Sequence, residues 1–445
     1  MSKFLLERDY KFASEEILNA NKKGSEGITL TLSRGDSIIF PYSFKISTDF
    51  ESSYYYVKKI ILTLVWMVGG DSIYYNGSHD FFIYLKDKLY KDEEVLNSFR
   101  EMENIFSIPF EVKENLATLA KKEHLTRFGT SFDGYRIGLD LGGSDRKVTA
   151  SKNGEVLFSE EVIWDPKNQK DYRYHEEGIL DSLLRAKSYL PRVDAIGIST
   201  AGVVLDNYYK SPALFKDVPS IDVKEHVAPI FFNIINKHFK GVPFAVANDG
   251  DVSAIGASLL FDKDNVLGLA LGTSFAAGYA SKGCLNNFIN ELSKVPVNFD
   301  INARSHYIFN IKGAASDYLS QKGIVLLLEK NGKKYKGKNF PSKLLEIQED
   351  AKRGDKLTLD AYHDMGLYLG DAIYYFSLFA PISSVLLLGR VLTGVGGEII
   401  KDVASNYLKE KKANIEVFTP DENFKRLGQS YIASCLPTID SYLGF

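Results

Sequence analysis

The chain has 445 residues, 45% of them apolar and 25% charged, with Lys+Arg 54 against Asp+Glu 57 and a formal net charge of −3. That length suits two or three domains, and the near balance of charge offers no drive toward nucleic acid or an anionic membrane. The two cysteines, Cys284 and Cys435, lie far apart with no Cys or His at metal-ligand spacing, which argues against a disulfide framework or a cysteine-built zinc site.

The N-terminus "MSKFLLERDYKFASEE" lacks the apolar core of a signal peptide. The longest aliphatic run, "IILTLVWMVGG", is about half the ~20 residues that a membrane span needs, so a cytoplasmic protein is expected. Residues 1–134 then read as a small α+β domain. "GITLTLSRGDSIIFPYSFKIS" predicts two strands around a Gly-Asp turn, and "YYYVKKIILTLVWMVGGDSIYYNG" predicts a helix closed by glycines, then a strand and an Asn-Gly turn. This stretch holds Lys+Arg 17 and Asp+Glu 20, a charge of −3, so it lacks the basic face of a DNA-binding head. The polar segment "KENLATLAKKEHLTRFGTSFDG" leads onward.

From Tyr135 the texture is β-rich. Strands are predicted around "RIGLDLG", "RKVTASK" and "EVLFSEEVIW", followed by a helix containing "GILDSLLRAKSYL". Next come the strand segment "VDAIGISTAGVVLDN", one amphipathic helix over "VKEHVAPIFFNIINKHF", the strand "PFAVANDGD" and a further helix. The pattern restarts with strands "NVLGLALGTS" and "FAAGYASKG", long helices, the strand "SSVLLLGRV" and a helix containing "GEIIKDVASNYL". Two successive halves of this kind, 135–255 and 256–445, predict a duplicated α/β fold with a cleft between the halves.

Four stretches carry chemistry. In "LDLGGSDRK" a buried strand ends in Asp140, then exposes Gly142, Gly143, Ser144 and Lys147. A structural hairpin needs one turn glycine and no acid. A phosphate site needs glycines that admit backbone N–H groups, a hydroxyl, and an acid to organise Mg²⁺. "LALGTS" repeats the device at Gly272, Thr273 and Ser274, although Thr and Ser also cap and turn for local reasons. "VANDGD" ends a strand in Asn248, Asp249 and Asp251, where acids point into the crevice of an open sheet; Asp249 or Asp251 could equally cap the following helix. "VLLLGRVLTGVGGEII" runs a strand into a glycine-rich loop at Gly389 and Arg390, open enough for a nucleoside to lie on backbone.

In this order the four stretches resemble those of the actin-like ATPase superfamily (ASKHA), which groups acetate kinase, sugar kinases, heat-shock chaperones and actin. Within it they look most like the ROK group of bacterial sugar kinases and sugar-responsive repressors. The likeness covers roughly residues 135–445. It implies duplicated ribonuclease H-like domains, with 135–255 and 256–445 as the two ATPase subdomains behind the N-terminal α+β domain. It further implies ATP and Mg²⁺ as cofactors and a small-molecule sugar as substrate, and it is compatible with a homodimer. Neither nucleic acid nor membrane is expected as a partner.

The resemblance also distributes roles. Asp140 would orient Mg²⁺ directly or through water. Gly142, Gly143, Ser144, Lys147, Gly272, Thr273 and Ser274 would meet the phosphates, and Gly389 with Arg390 the adenosine. Asn248, Gly202 of "STAGVV" and Glu291 would hold the sugar, and Asp249 would be the catalytic base. The chain departs from the family in "GCLNNFINELSKVPVNFD", which keeps Glu291 but has Lys294 where a His is usual and no cysteine cluster, so no zinc site is implied. His175 and His306 belong to no motif and read as core or surface residues. A sensor that keeps the fold without turnover is the rival to a kinase.

Overall fold

The computed structural model describes residues 3–438 except 116, 118, 124, 130, 212, 283 and 421. Packing divides the chain into two compact units. The first takes Met1–His124, Leu269–Ala277 and Phe288–Thr419; the second takes Leu125–Gly268, Gly278–Asn287 and Pro420–Phe445. These units are not consecutive stretches, so they cut the chain differently from the boundaries expected at 134/135 and 255/256.

In the first unit, β1 (Glu26–Arg34) and β2 (Ile38–Ile46) form the expected antiparallel hairpin, with Gly35 at φ 47° in the turn. β3 (Ser72–Asn76) pairs antiparallel with β1, and β4 (Glu111–Glu114) lies parallel to β3, giving the order β2-β1-β3-β4. The expected helix is Phe50–Met67, with Asp49 accepting from the Glu51 N–H at its N-terminus. The chain start is strapped down by buried carboxylates on the helix Lys356–Ser377. Asp364 accepts from the N–H groups of Leu5, Leu6 and Glu7 at 2.8, 2.8 and 3.1 Å. Asp371 takes the hydroxyls of Ser14 and Tyr407, and burial pushes its carboxyl up to about 6.

In the second unit, after the short β5 (Thr126–Arg127), the strands β6 (Tyr135–Leu141), β7 (Asp145–Lys152) and β8 (Glu155–Ile163) form an antiparallel meander. β9 (Ala195–Thr200) joins β6 in parallel. β10 (Val203–Leu205) and β11 (Tyr208–Ser211) pair with each other, and β12 (Phe244–Asn248) lies parallel to β9. The sheet order is β12-β9-β6-β7-β8. Ile137, Leu139, Ile196, Ile198 and Val148 on this sheet pack with Ile179 and Leu183 of the helix Tyr172–Lys187 in one apolar core.

The helix expected over 223–239 is broken: Val223–Val227 winds as a π-helix, and an α-helix restarts at Ile230–His238. Pro229 stands at the break, because it lacks an N–H and cannot sit inside a helix without loss.

β13 (Val266–Leu271), β14 (Phe275–Ser281), β15 (Cys284–Leu285), β16 (Ser384–Leu388) and β17 (Glu416–Phe418) form the remaining sheet, in the order β17-β16-β13-β14-β15-β5. Counted along each sheet in chain order, β8-β7-β6-β9-β12 and β15-β14-β13-β16-β17 follow the same 3-2-1-4-5 path. The α/β fold is therefore duplicated, as the repeated sequence pattern implied. The helix Glu422–Ala433 belongs to the second unit, where two strand glycines make room for it. A Cβ at Gly138 would lie 1.8 Å from the Ser430 carbonyl oxygen, and one at Gly197 would lie 1.7 Å from that of Ala433.

Candidate active site

In the second unit, the sheet register fixes what faces Asp140. It stands directly opposite Lys147 on β7 and level with Ser199 on β9. Burial pushes the Asp140 carboxyl up to about 7; Asp249 and Asp145 add to the rise, and Ser199 and Lys147 oppose it. The Ser199 hydroxyl is fully buried beside the Asp140 carboxyl, whose charged form it favours. Lys147 reaches Asp145 at 3.6 Å and Glu161 at 3.7 Å.

The acid at the end of β12 follows from helix capping. Asn248 is the N-cap of the helix Asp249–Leu260: its Oδ1 accepts from the Gly250 N–H at 2.8 Å, and its Nδ2 donates to the Gly202 carbonyl at 2.9 Å. Neither acid is therefore the cap. Asp251 is buried and accepts the Tyr279 N–H at 3.2 Å, a structural role. Asp249 occupies the first helical turn, where the helix dipole favours its charge. Its backbone carbonyl accepts from Ser253 Oγ at 2.9 Å and from the Gln429 amide. Gly202, at φ 109°, would place a Cβ 2.4 Å from the Ser211 carbonyl, so glycine is required there by the backbone itself.

The two glycine turns match in detail although each lies in a different unit. The Gly142 N–H donates to the Asp145 carbonyl at 2.9 Å, and the Gly272 N–H to the Ser274 carbonyl at 3.0 Å. The carbonyl of the first glycine is also held in both: Gly142 by the Trp164 indole at 2.8 Å, Gly272 by the Gln321 N–H at 2.9 Å. Among the described residues, the N–H groups of Gly143, Ser144, Thr273 and Ser274 donate to no protein acceptor. Each turn thus offers two adjacent free donors, the arrangement that accepts an anion. A Cβ on Gly143 would meet only the flexible end of Lys167, at 3.0 Å, and one on Gly272 only the Ser274 carbonyl, at 3.5 Å.

Gly389 abuts the second turn. At φ 107° it would press a Cβ to 2.3 Å from the Leu271 carbonyl, one residue before Gly272. Arg390 begins a short 3-10 turn whose carbonyl accepts from Gln348 at 2.8 Å. Glu291, in the same unit, is engaged by Lys294, and Lys294 also lies over the Trp66 ring at 5.4 Å.

No family model and no curated protein matches the sequence. Solved structures do match. A ROK hexokinase from Thermus thermophilus superposes with a TM-score of 0.53 at 17% identity, covering 70% of this chain and 100% of its own. A ROK family protein from Streptococcus pneumoniae TIGR4, in complex with sucrose, gives 0.51 at 14% identity over 68% of this chain and 96% of its own. A ROK family transcriptional regulator, a homolog of the E. coli MLC protein, gives 0.50 at 17% identity over 68% and 79%. The chain has a ROK-like fold.

Within this ROK-like fold, Asp140, Gly142, Gly143, Ser144, Lys147, Gly202, Asn248 and Asp249 fall in the second unit, and Gly272, Thr273, Ser274, Glu291, Gly389 and Arg390 in the first. His175 and His306 are buried, and burial holds both below the ordinary histidine pKa, His306 at about 4. Sequence reading missed Ser199, Trp164, Lys167 and Gln321. Ser199 had a readable signal, a hydroxyl pair at the end of the apolar strand "AIGIST"; the others approach the turns from loops or helix starts that no local pattern ties to them. No helix among the described residues is long and apolar enough to cross a membrane.

Proposed function

We propose that the protein is an ATP-dependent phosphotransferase acting on a hydroxyl of a hexose-type sugar. The observation that carries this is the placement of Asp140, near the end of β6, and Asp249, just after β12, on the two strands that flank β9, where Asp249 adds to the rise in the Asp140 pKa that burial causes. The ROK-like fold supports it, since the matched structures include a hexokinase.

A divalent cation suits the residues present. Mg²⁺ is commonly held by one or two carboxylates plus substrate phosphates, and a buried Asp140 whose pKa is raised, with Asp249 close by, is a carboxylate whose charge a cation would favour. When bound, Mg²⁺ would supply charge neutralisation for the phosphates. The free amides at Gly143–Ser144 would receive phosphate oxygens in the second unit, with Lys147 as a nearby cation. The same role is proposed for Thr273–Ser274, and nucleoside contact for Gly389–Arg390, in the first.

Asp249 would accept the proton of the attacking hydroxyl. The sugar oxygen forms the new P–O bond as the bond from the γ-phosphorus to the bridging oxygen breaks and ADP leaves, a step governed by position and charge rather than covalent catalysis. In the second unit Asn248 would hydrogen-bond a sugar hydroxyl, with Gly202 holding its amide in place; in the first, Glu291 is proposed as a sugar ligand. The consecutive stretches 135–255 and 256–445 are proposed as the ATPase subdomains and 1–134 as the added domain. The test is ADP formation from ATP across a sugar panel, with Asp249→Asn beside the native protein.

A sensor without turnover is the second reading. It is favoured by the Glu291–Lys294 ion pair, which occupies a proposed sugar ligand, and by the likeness to a regulator. Sugar binding without sugar-dependent ADP formation would select it.

A further inference from the structure

Within residues 16–60, away from every motif above, a cavity of about 230 Å³ opens between the helix Ala13–Lys23, the end of β2 and the first turns of the helix Phe50–Met67. Its floor is apolar: Ile17, Phe44, Ile46 and Ile60 are all buried. Its mouth is not. Lys23, Lys45 and Asn19 stand there exposed, and among the described residues neither lysine forms an ion pair. The acid at this site is already engaged, since Glu16 accepts the Tyr56 hydroxyl at 3.2 Å. The mouth is also fixed in shape: the Lys45 N–H donates to Asn21 Oδ1 at 2.7 Å, and the Gly24 turn packs so closely on Lys45 that a Cβ there would lie 2.6 Å from its backbone.

We propose that this cavity is a binding site for a small amphiphilic anion, with its apolar group on the Ile17–Phe44–Ile60 floor and its carboxylate or phosphate at Lys23 and Lys45. The volume is below the roughly 300–1,000 Å³ of drug-sized ligand sites, so the occupant has one ring or a short branched chain. Two unpaired ammonium groups beside an apolar floor select an anion over a neutral molecule of the same shape, because the charged head gains charge-assisted hydrogen bonds while the body leaves water. The proposal is independent of phosphotransfer and of the sugar site.

The test is calorimetry on the full chain with phenylacetate, phenyl phosphate and 2-phenylethanol. Both anions are expected to bind, the tighter one identifying the head group, and the neutral alcohol at least ~10-fold more weakly, the loss of one charge-assisted contact. Lys45→Glu and Lys23→Glu should each weaken the anions ~10-fold without changing the alcohol. Ser52→Trp at the exposed rim, or Ala20→Trp on the wall, should abolish binding of all three while the melting temperature confirms the fold. Equal affinity for alcohol and anions, no binding of either anion at millimolar concentration, or unchanged binding in a folded Ser52→Trp or Ala20→Trp protein would each overturn it.

Discussion

Replacing Asp140 by Asn should make the protein more stable at neutral pH and leave it nearly unchanged near pH 4. The carboxyl titrates at 3.8 when unperturbed and at about 7 in the fold, so the folded state holds a proton that the unfolded chain releases across that window. A carboxyl raised on folding contributes most below its unfolded pKa, and that contribution is lost as pH climbs through the folded value. The rise of about 3 units corresponds to at most about 4 kcal/mol at ~1.4 kcal/mol per unit; because Asp140 is only partly buried, solvent screening trims the expected gain to roughly 1–3 kcal/mol. At about 1 °C per kcal/mol for a chain of 445 residues, Asp140→Asn should melt roughly 1–3 °C above the native protein at pH 8 and converge with it near pH 4. Asp371, raised to about 6, slopes the same way, and His306, lowered to about 4, slopes the other way; both cancel in the difference between the two proteins. A second readout is proton release when ATP and Mg²⁺ bind near pH 7, seen as a dependence of calorimetric heat on buffer ionisation enthalpy and absent in Asp140→Asn. Melting curves that run parallel from pH 4 to 8, with no proton release in the native protein, would refute the reasoning.

Other substitutions separate structural from chemical roles. Asp251→Asn should lower stability by about 1–3 kcal/mol in a denaturant melt, because a buried carboxylate that accepts the Tyr279 N–H loses its charge, whereas Asp249→Asn should melt close to the native protein. Gly272→Val should fold and lose ATP affinity selectively by calorimetry, since an added Cβ meets only the Ser274 carbonyl at 3.5 Å. Gly389→Ala should instead lower the melting temperature and depress every activity together, because its φ of 107° and the Leu271 carbonyl at 2.3 Å leave no room for a side chain. Lys294→Ala should free Glu291 and, if Glu291 holds the sugar, change sugar affinity by calorimetry without altering ATP affinity.

Much of the fold was legible because its strands advertise themselves. The apolar runs of β6, β9, β12 and β13 each end in a glycine, hydroxyl or acid, and their repetition carried the duplication that the 3-2-1-4-5 order of both sheets displays. The Asn-Asp pair after β12 was legible as the junction of a strand and a helix, but not which residue caps that helix, because Asn248, Asp249 and Asp251 are all good caps and only the backbone geometry decides. The return of 422–433 to the first half's sheet was not legible. Gly138 and Gly197 signal that some backbone passes close to those strands, yet nothing local says it comes from far downstream in the chain, at Ser430 and Ala433. The strap at the chain start was hidden for a related reason: Asp364 and Asp371 look like ordinary helix-surface acids until Leu5, Leu6, Glu7 and Ser14 supply their donors.

The central claim is transfer of phosphate from ATP to a sugar with Asp249 as base, and ADP release measured in a coupled assay over a panel of hexoses tests it most directly. The account predicts sugar-dependent ADP formation by the native protein. It also predicts a fall of at least ~10²-fold in Asp249→Asn, the lower end of what a general base contributes, with ATP binding retained. Sugar-independent ADP formation, or undiminished turnover in Asp249→Asn, would contradict it.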